Sequence, residues 1–272
     1  MRTLESGTLR RGLWGIAVAA LMVTAVPAWP AAAETINLSY EFVDAGAVID
    51  AYLGPTHYYW NGMAGDGLLR MATDNPSGPL ASKLPPFIWA ACCEINQFTD
   101  FTWNTYTVQS LDSAFSPGKA LLIRQLWANF YDHAAETGTP IYYGGSQGGF
   151  TTGEPANNAE NINAISLAYA LYEIRYDYDG TLASLDPTAG TFRLGANQSP
   201  LGPPSILQET QTMLGSLVDP QSYQGKLPDL LALTNPSLQD VIVEVRSDVP
   251  EPATMALLAL GGLTMLKRRR AA

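Results

Sequence analysis

Two apolar, charge-free runs, Leu13–Val26 and Ala253–Leu266, lie at the ends of this chain. A helix that is apolar all round has no face to offer water, so neither run can serve as the outer layer of a globular core. Any packed fold has to come from the 216 residues between them, Glu34 to Val249. That length suits one domain or two and is ample for a buried core. The ends also hold seven of the 15 basic residues and only two of the 25 acidic ones. The middle keeps 8 basic and 23 acidic residues, a net charge of −15. Such a surface repels nucleic acid and anionic lipid.

The flanks of each run give it a meaning. Arg2, Arg10 and Arg11 precede Leu13–Val26, and Pro27, Trp29 and Pro30 break it. Ala31-Ala32-Ala33 then offers small residues for cleavage between Ala33 and Glu34. This is the layout of a secretory signal peptide, the substrate of signal peptidase. At the other end Val249-Pro250-Glu251-Pro252 precedes the apolar run, and Lys267-Arg268-Arg269-Arg270 follows it. Each proline fixes its own φ and biases the residue before it toward an extended conformation, a form a protease can bind. Fourteen residues of helix reach about 21 Å, short of the roughly 30 Å of bilayer hydrocarbon. Gly261-Gly262 weakens that helix further. The basic cluster should stay cytoplasmic.

The order of rigid acidic motif, short apolar segment and basic stop is similar to the PEP-CTERM sorting signal, which membrane proteases called exosortases recognise. The resemblance implies three segments: a signal peptide over 1–33, an exported body over 34–248 and a sorting signal over 249–272. It implies brief membrane insertion through the C-terminal segment, cutting by exosortase, and a final place at the cell surface or in extracellular matrix and biofilm. Exopolysaccharide is a candidate partner there. A single-span anchor that is never cut is the alternative.

Within the body, alternation marks strands at Thr35–Phe42, Trp103–Val108 and Gln239–Arg246, and Phe87–Phe98 is a mostly buried strand candidate. Gly54-Pro55, Asn75-Pro76, Gly78-Pro79 and Pro85-Pro86 punctuate the first half. Helical spacing marks three further segments. One starts at Ser116-Pro117 and runs through Leu122, Leu126, Phe130 and Ala134 to a stop at Gly138 and Pro140. Asn161–Tyr178 carries Ile165, Tyr169, Tyr172 and Tyr176 on one stripe, and Ser205–Val218 is the third. The expected class is α+β: a mainly antiparallel sheet or sandwich with about three helices inserted before the final strand.

Two segments resemble motifs of PEP-CTERM proteins that look related to the thioester domains of surface adhesins. They are Ala91-Cys92-Cys93-Glu94 and the run Ser166 to Asp177. In those adhesins a cysteine thiol displaces ammonia from a glutamine and the thioester captures a partner. Here the glutamine position holds Ala168, so the resemblance carries the fold and leaves Cys92 as a candidate reactive thiol without its partner. Adjacent cysteines in a strand point to opposite faces, which leaves one thiol buried and one nearer the surface. They are too close for an unstrained disulfide.

Gly144-Gly145-Ser146-Gln147-Gly148 contains the Gly-x-Ser-x-Gly pattern of hydrolase nucleophile elbows. No helix start follows it, and both His57 and His133 precede Ser146, so a Gly-rich loop is the expected role. Asp177-x-Asp179-Gly180 matches the start of a calcium loop but lacks its later ligands. Asp132-His133 reads as a polar helix end. Tyr58, Tyr59, Trp60, Trp89 and Trp103 either pack in a core or line a sugar-binding face. No metal site and no cofactor is expected. The expected function is a structural or adhesive role without catalysis; a serine hydrolase using Ser146 and a carbohydrate-binding module are the rivals.

Overall fold

The computed structural model describes residues 32–46, 49–60, 67–136, 159–195 and 205–245. Both expected signals and the Gly-rich segment at 144–149 lie outside them. The chain divides into two compact units, Met1–Ala32 and Ala33–Ala272, and every described element belongs to the second. In chain order these are β1 (Glu34–Gly46), β2 (Ile49–Leu53), β3 (Thr56–Trp60), β4 (Gly67–Ser77), β5 (Phe87–Cys92) and β6 (Asn104–Ser110). Then come α1 (Leu111–Ala114), α2 (Pro117–Phe130), α3 (Ala159–Asp177), β7 (Phe192–Leu194), α4 (Ser205–Gly215), β8 (Leu230–Thr234) and β9 (Val241–Glu244).

The class is α+β, and the main sheet is a closed barrel in the order β1-β4-β5-β9-β8-β6, where a sandwich was one expectation. Every neighbouring pair is antiparallel. Closure depends on β1. This 13-residue strand pairs with β4 along its length and with β6 over Glu34–Leu38. Its register against β4 shifts at Thr35/Asn37, Tyr40/Phe42 and Val43/Ala45. Such bulges bend a strand and let a sheet curl back on itself. A second sheet, β3-β2-β7, is built on the hairpin whose turn holds Gly54 at φ 58°. That left-handed conformation is one glycine adopts without strain.

Alternation places side chains on two sides of the barrel wall. Ile36, Leu38, Leu69, Met71, Ile88, Ala90, Cys92, Tyr106, Val108, Leu231, Leu233, Val241 and Val243 join one core cluster. Ala91, Cys93, Leu230, Ala232 and Ile242 join another, with the inner faces of α2 and α4. Helix α3 belongs to both. Ile165, Tyr169 and Tyr172 pack with the first cluster, and Leu167, Ala170, Leu171 and Ile174 with the second. Every residue from Ile165 to Ile174 is buried.

The described elements differ from the periodicity in several places. β5 ends at Cys92 rather than Phe98, although Cys93 N–H still bonds the Asp240 carbonyl at 3.1 Å. α2 stops at Phe130, short of Ala134, because the Asp132 carboxylate accepts from Ala134 N–H and starts a separate 3-10 turn over His133–Ala135. α4 ends at Gly215, short of Val218. Strands β2, β3, β4, β7 and β8 are not among those the periodicity marked. β8 is buried on both faces from Leu230 to Leu233, so it reads as an unbroken apolar run. Asn75-Pro76 lies in the last turn of β4 rather than in a loop, with Asn75 at φ 49°.

Leu171 is fully buried between α3 and its helical neighbours. Leu171→Ala should lower the unfolding free energy by about 2–5 kcal/mol, read as a reduced urea midpoint with an unchanged far-UV spectrum.

Candidate functional site

The strand-and-helix segments singled out for thiol chemistry do meet, but not at Cys92. Neither Cys92 nor Cys93 is in a disulfide and both are buried, so the expectation of one thiol near the surface is wrong. The reason is that each face of β5 has a cover: barrel core on the Cys92 side, helices on the Cys93 side. Ala168 is also buried and carries no group that a thiol could join. The contact between the segments runs through Arg175. Its Nη2 lies 3.3 Å from Glu94 Oε1 and 3.1 Å from Asp240 Oδ2, and its Nη1 lies 3.5 Å from Cys93 Sγ. Burial pushes the Cys93 thiol up to about 12, against the pull of Arg175. A thiol that holds its proton so firmly is a poor nucleophile. Burial also raises the Glu94 carboxyl above its usual range; Arg175 pulls the other way, and the Asp240 charge pushes it up again. Arg175 and Asp240 were missed in the sequence because nothing in their local spacing links residues 65 apart.

Both histidines hold carboxylates. His57 Nε2 lies 2.8 Å from Asp50 Oδ1, and Asp50 is almost wholly buried. The His57 ring stacks on Tyr52 at 4.2 Å, and Arg193 sits over the other strand-neighbour position, 4.6 Å from the Tyr52 ring. Asp132-His133 opens the 3-10 turn that follows α2. His133 lies there with Nδ1 3.3 Å from Glu136 and Nε2 3.4 Å from Glu244. Tyr131 donates to Glu136 at 2.8 Å, and Trp127, stacked on Tyr131 at 4.0 Å, donates to Glu244 at 2.9 Å. Ser146 lies outside the described residues, so its distance to either pair is not part of this geometry.

The acidic residues at the C-terminus of α3 serve the backbone. Asp177 accepts from Thr191 and Phe192 N–H at 2.7 Å each, and Asp179 accepts from the N–H and hydroxyl of Thr181. The two aspartates of the calcium-like start thus tie down the loop that leads to β7. Among the described residues no group of three or more His, Cys, Asp or Glu side chains is arranged to hold a metal ion. Glu173 Oε1 accepts from Asp186 N–H at 2.7 Å, while Oε2 is buried without a hydrogen-bond partner. Its carboxyl is pushed up to about 8, by burial first and then by the charge of Asp177.

The helices cover the outer wall of the barrel at β5, β8 and β9. Leu68 at the start of β4 is covered too, by Ala135 and Ala164; farther along the wall large rings are exposed, at the start of β5 and in the loop before β6. Trp103 is 53% exposed, Phe101 69%, Phe98 48% and Phe87 41%. Of the five aromatic residues singled out in the sequence, Trp103 is the one exposed among those described. Tyr58 packs against the core, and Trp89 is half-buried, with Arg70 5.8 Å from its ring and 4.6 Å from that of Phe87. The side chains of Tyr59 and Trp60 lie outside the described residues.

Of the processing residues, Ala33 is exposed and Glu34 opens β1. The Glu34 carboxylate accepts from Leu80 N–H at 2.5 Å and Ala81 N–H at 3.2 Å, so ordered structure starts where cleavage is expected. Pro250, Glu251, Pro252 and Lys267 to Arg270 lie outside the described residues. Among the described residues no helix is long and apolar enough to cross a membrane. Compared with known families, residues 248–270 match the PEP-CTERM protein-sorting motif. No curated protein and no solved structure matches the chain.

Glu173 gives a pH dependence with a definite sign. Its folded value of about 8 exceeds the ordinary 4.5, so the folded state binds the extra proton between these limits. Its contribution is fully present below about 4.5 and is lost as pH rises through about 8. Stability should fall over that window by a few kcal/mol, on the order of the shift converted at about 1.4 kcal/mol per unit. Glu173→Gln, which keeps the acceptor for Asp186, should flatten that slope in urea titrations run from pH 5 to pH 8.

Proposed function

We propose that this chain is exported, cut by an exosortase behind its barrel and retained at the cell surface or in the extracellular matrix. There the body acts as a structural or adhesive module without catalysis. The observation that carries the reading is the PEP-CTERM motif at residues 248–270. That motif implies an exosortase-sorted exported protein, and it follows the last strand closely, since β9 ends at Glu244. β9 lies between β5 and β8 in the closed barrel, so a cut behind it removes no strand from the fold. The eight residues 245–252 between β9 and the apolar run reach at most about 29 Å when extended. While the tail is in the membrane, the barrel therefore stays close to the bilayer. The body's charge of −15 keeps it off an anionic lipid surface, which favours its release once the tether is cut.

Cross-linking through a thioester is not part of this reading. Ala168 replaces the needed glutamine, and Cys92 faces the barrel core. Intact mass spectrometry of the chain from its own cell fractions should show an N-terminus at or within a few residues of Glu34 and no residue after the Pro250–Pro252 motif. The body mass should show no loss of about 17 Da, the ammonia released when cysteine and glutamine join. Exported protein that still carries Lys267–Arg270 would leave a plain anchor in place of sorting.

A serine hydrolase is the second reading, favoured by the His57–Asp50 pair at 2.8 Å, which has the form of a base with its orienting acid. A fluorophosphonate probe separates the two readings. We expect no labelling; labelling that disappears in Ser146→Ala would make the chain a hydrolase.

A further inference from the structure

The outer wall of the barrel carries a row of four residues, three from adjacent strands and one just before a fourth. Ser39 on β1 pairs with Ala72 on β4, and Ala72 pairs with Phe87 on β5. On the other side Trp103 immediately precedes Asn104, the β6 partner of Leu38, and so stands beside Ser39. The row Trp103–Ser39–Ala72–Phe87 crosses three strand spacings, about 14 Å. It has a large exposed ring at each end and two small outward side chains, Ser39 and Ala72, in the middle. The next row is Thr105 and Asn37, paired across the strands and joined by a hydrogen bond of 2.9 Å between their side chains.

The rings are exposed on backbone that is held in place. Ser39 Oγ donates to the Phe101 carbonyl at 2.8 Å, and Tyr40 N–H bonds the Asp100 carbonyl at 3.1 Å. The Asp100 carboxylate accepts from the N–H and hydroxyl of Thr102. Asn104 closes the turn on the Thr102 carbonyl at 2.9 Å. Burying a ring of this size stabilises a fold by about 1.5–3 kcal/mol. Rings left exposed on backbone this ordered are available for contacts at the surface.

We infer that the strip between Trp103 and Phe87 binds a neutral polysaccharide, with the two rings stacking on sugar faces and Asn37 and Thr105 bonding hydroxyl groups. The inference rests on the surface role proposed above and names what that surface would hold. A pyranose presents a C–H face to an aromatic ring and hydroxyl groups at its edge. The strip offers both kinds of partner in alternation. A protein partner would favour a contiguous apolar centre, and here small polar and methyl side chains separate the rings. An anionic bilayer is disfavoured by the body charge of −15. An acidic polysaccharide is disfavoured for the same reason.

Affinity electrophoresis of the mature chain through gels holding a neutral glucan, an acidic alginate or no polymer tests this, with phosphatidylcholine vesicles as a co-sedimentation arm. The neutral glucan should retard the chain and the alginate should not. Trp103→Ala and Phe87→Ala should each weaken retardation at least fivefold, and the double variant should abolish it. Ala72→Gln raises the floor without touching a ring and should weaken it independently. Val218→Ala, at an exposed apolar site beyond α4, should leave it unchanged. Retardation that survives the double variant, absence of retardation in any neutral glucan tried, or binding to vesicles alone would overturn the inference. A chain that is processed and surface-retained yet binds no glucan sinks only the strip. A chain found uncut sinks the surface reading whatever the gels show.

Discussion

Helix α3 is buried from Ile165 to Ile174 without a break, and the rest of the body is arranged to cover it. A helix with no polar face needs neighbours on every side. The barrel cluster and Phe192 cover Ile165, Tyr169 and Tyr172, while α2 and α4 cover Leu167, Leu171 and Ile174. Neighbouring elements meet some of the polar groups that burial traps, though not Glu173 Oε2. Ser166 Oγ donates to the Ile206 carbonyl at 3.3 Å, and Lys119 donates to the Arg175 carbonyl at the helix end. This demand also sets the chain order. α2, α3 and α4 all precede β8 and β9, so the barrel cannot close until the strands return across the finished helical layer. Such long-range closure makes for slow folding.

What was legible in the sequence follows from how many faces an element shows to water. α2, α3 and α4, the first part of β1, and β6 were visible because their apolar residues recur at 3.6 or at 2. α3 was visible by its Ile165–Tyr169–Tyr172 stripe, even though its other side is equally apolar. β8 was invisible because a strand covered on both faces loses its alternation. Closure into a barrel was also hidden, since it depends on bulges in β1 that leave no residue signature. The candidate site was less legible still. Trp103 was visible as an aromatic, but its neighbours Ser39, Ala72 and Phe87 come together only through register. Register is a property of strand pairs and cannot be read from one strand.

The two sides of the barrel wall divide its tasks. Where α2, α3 and α4 lie, the outward residues are apolar and small, such as Ala91, Ala232 and Ile242. Where no helix lies, they are hydroxyl and carboxamide side chains with rings among them: Thr35, Asn37, Ser39, Thr105, Thr107 and Trp103. That asymmetry follows from one physical rule. A sheet face is either packed or wet, and composition must match. The aromatic rings break the rule on the wet side, which is why they are informative there and uninformative in the core.

The Arg175 cluster breaks the rule from the other direction, with two carboxyls, a guanidinium and a thiol in a largely buried space. Removing charges from water costs several kcal/mol per ion, and pairing returns only part of it. A cluster of this kind is therefore a poor source of stability, and its effect is better sought in specificity. Glu94 follows β5, Asp240 precedes β9, and Arg175 belongs to the last turn of α3. One guanidinium thus joins the helix to two adjacent barrel strands at a fixed height. A slip of β9 against β5 by one residue would move Asp240 out of reach and turn Ile242 from the helices toward the barrel core. An apolar contact tolerates such a slip more readily than a charged one does. The buried pair of ions makes the correct register of the closing strand the only one in which the arginine keeps both partners.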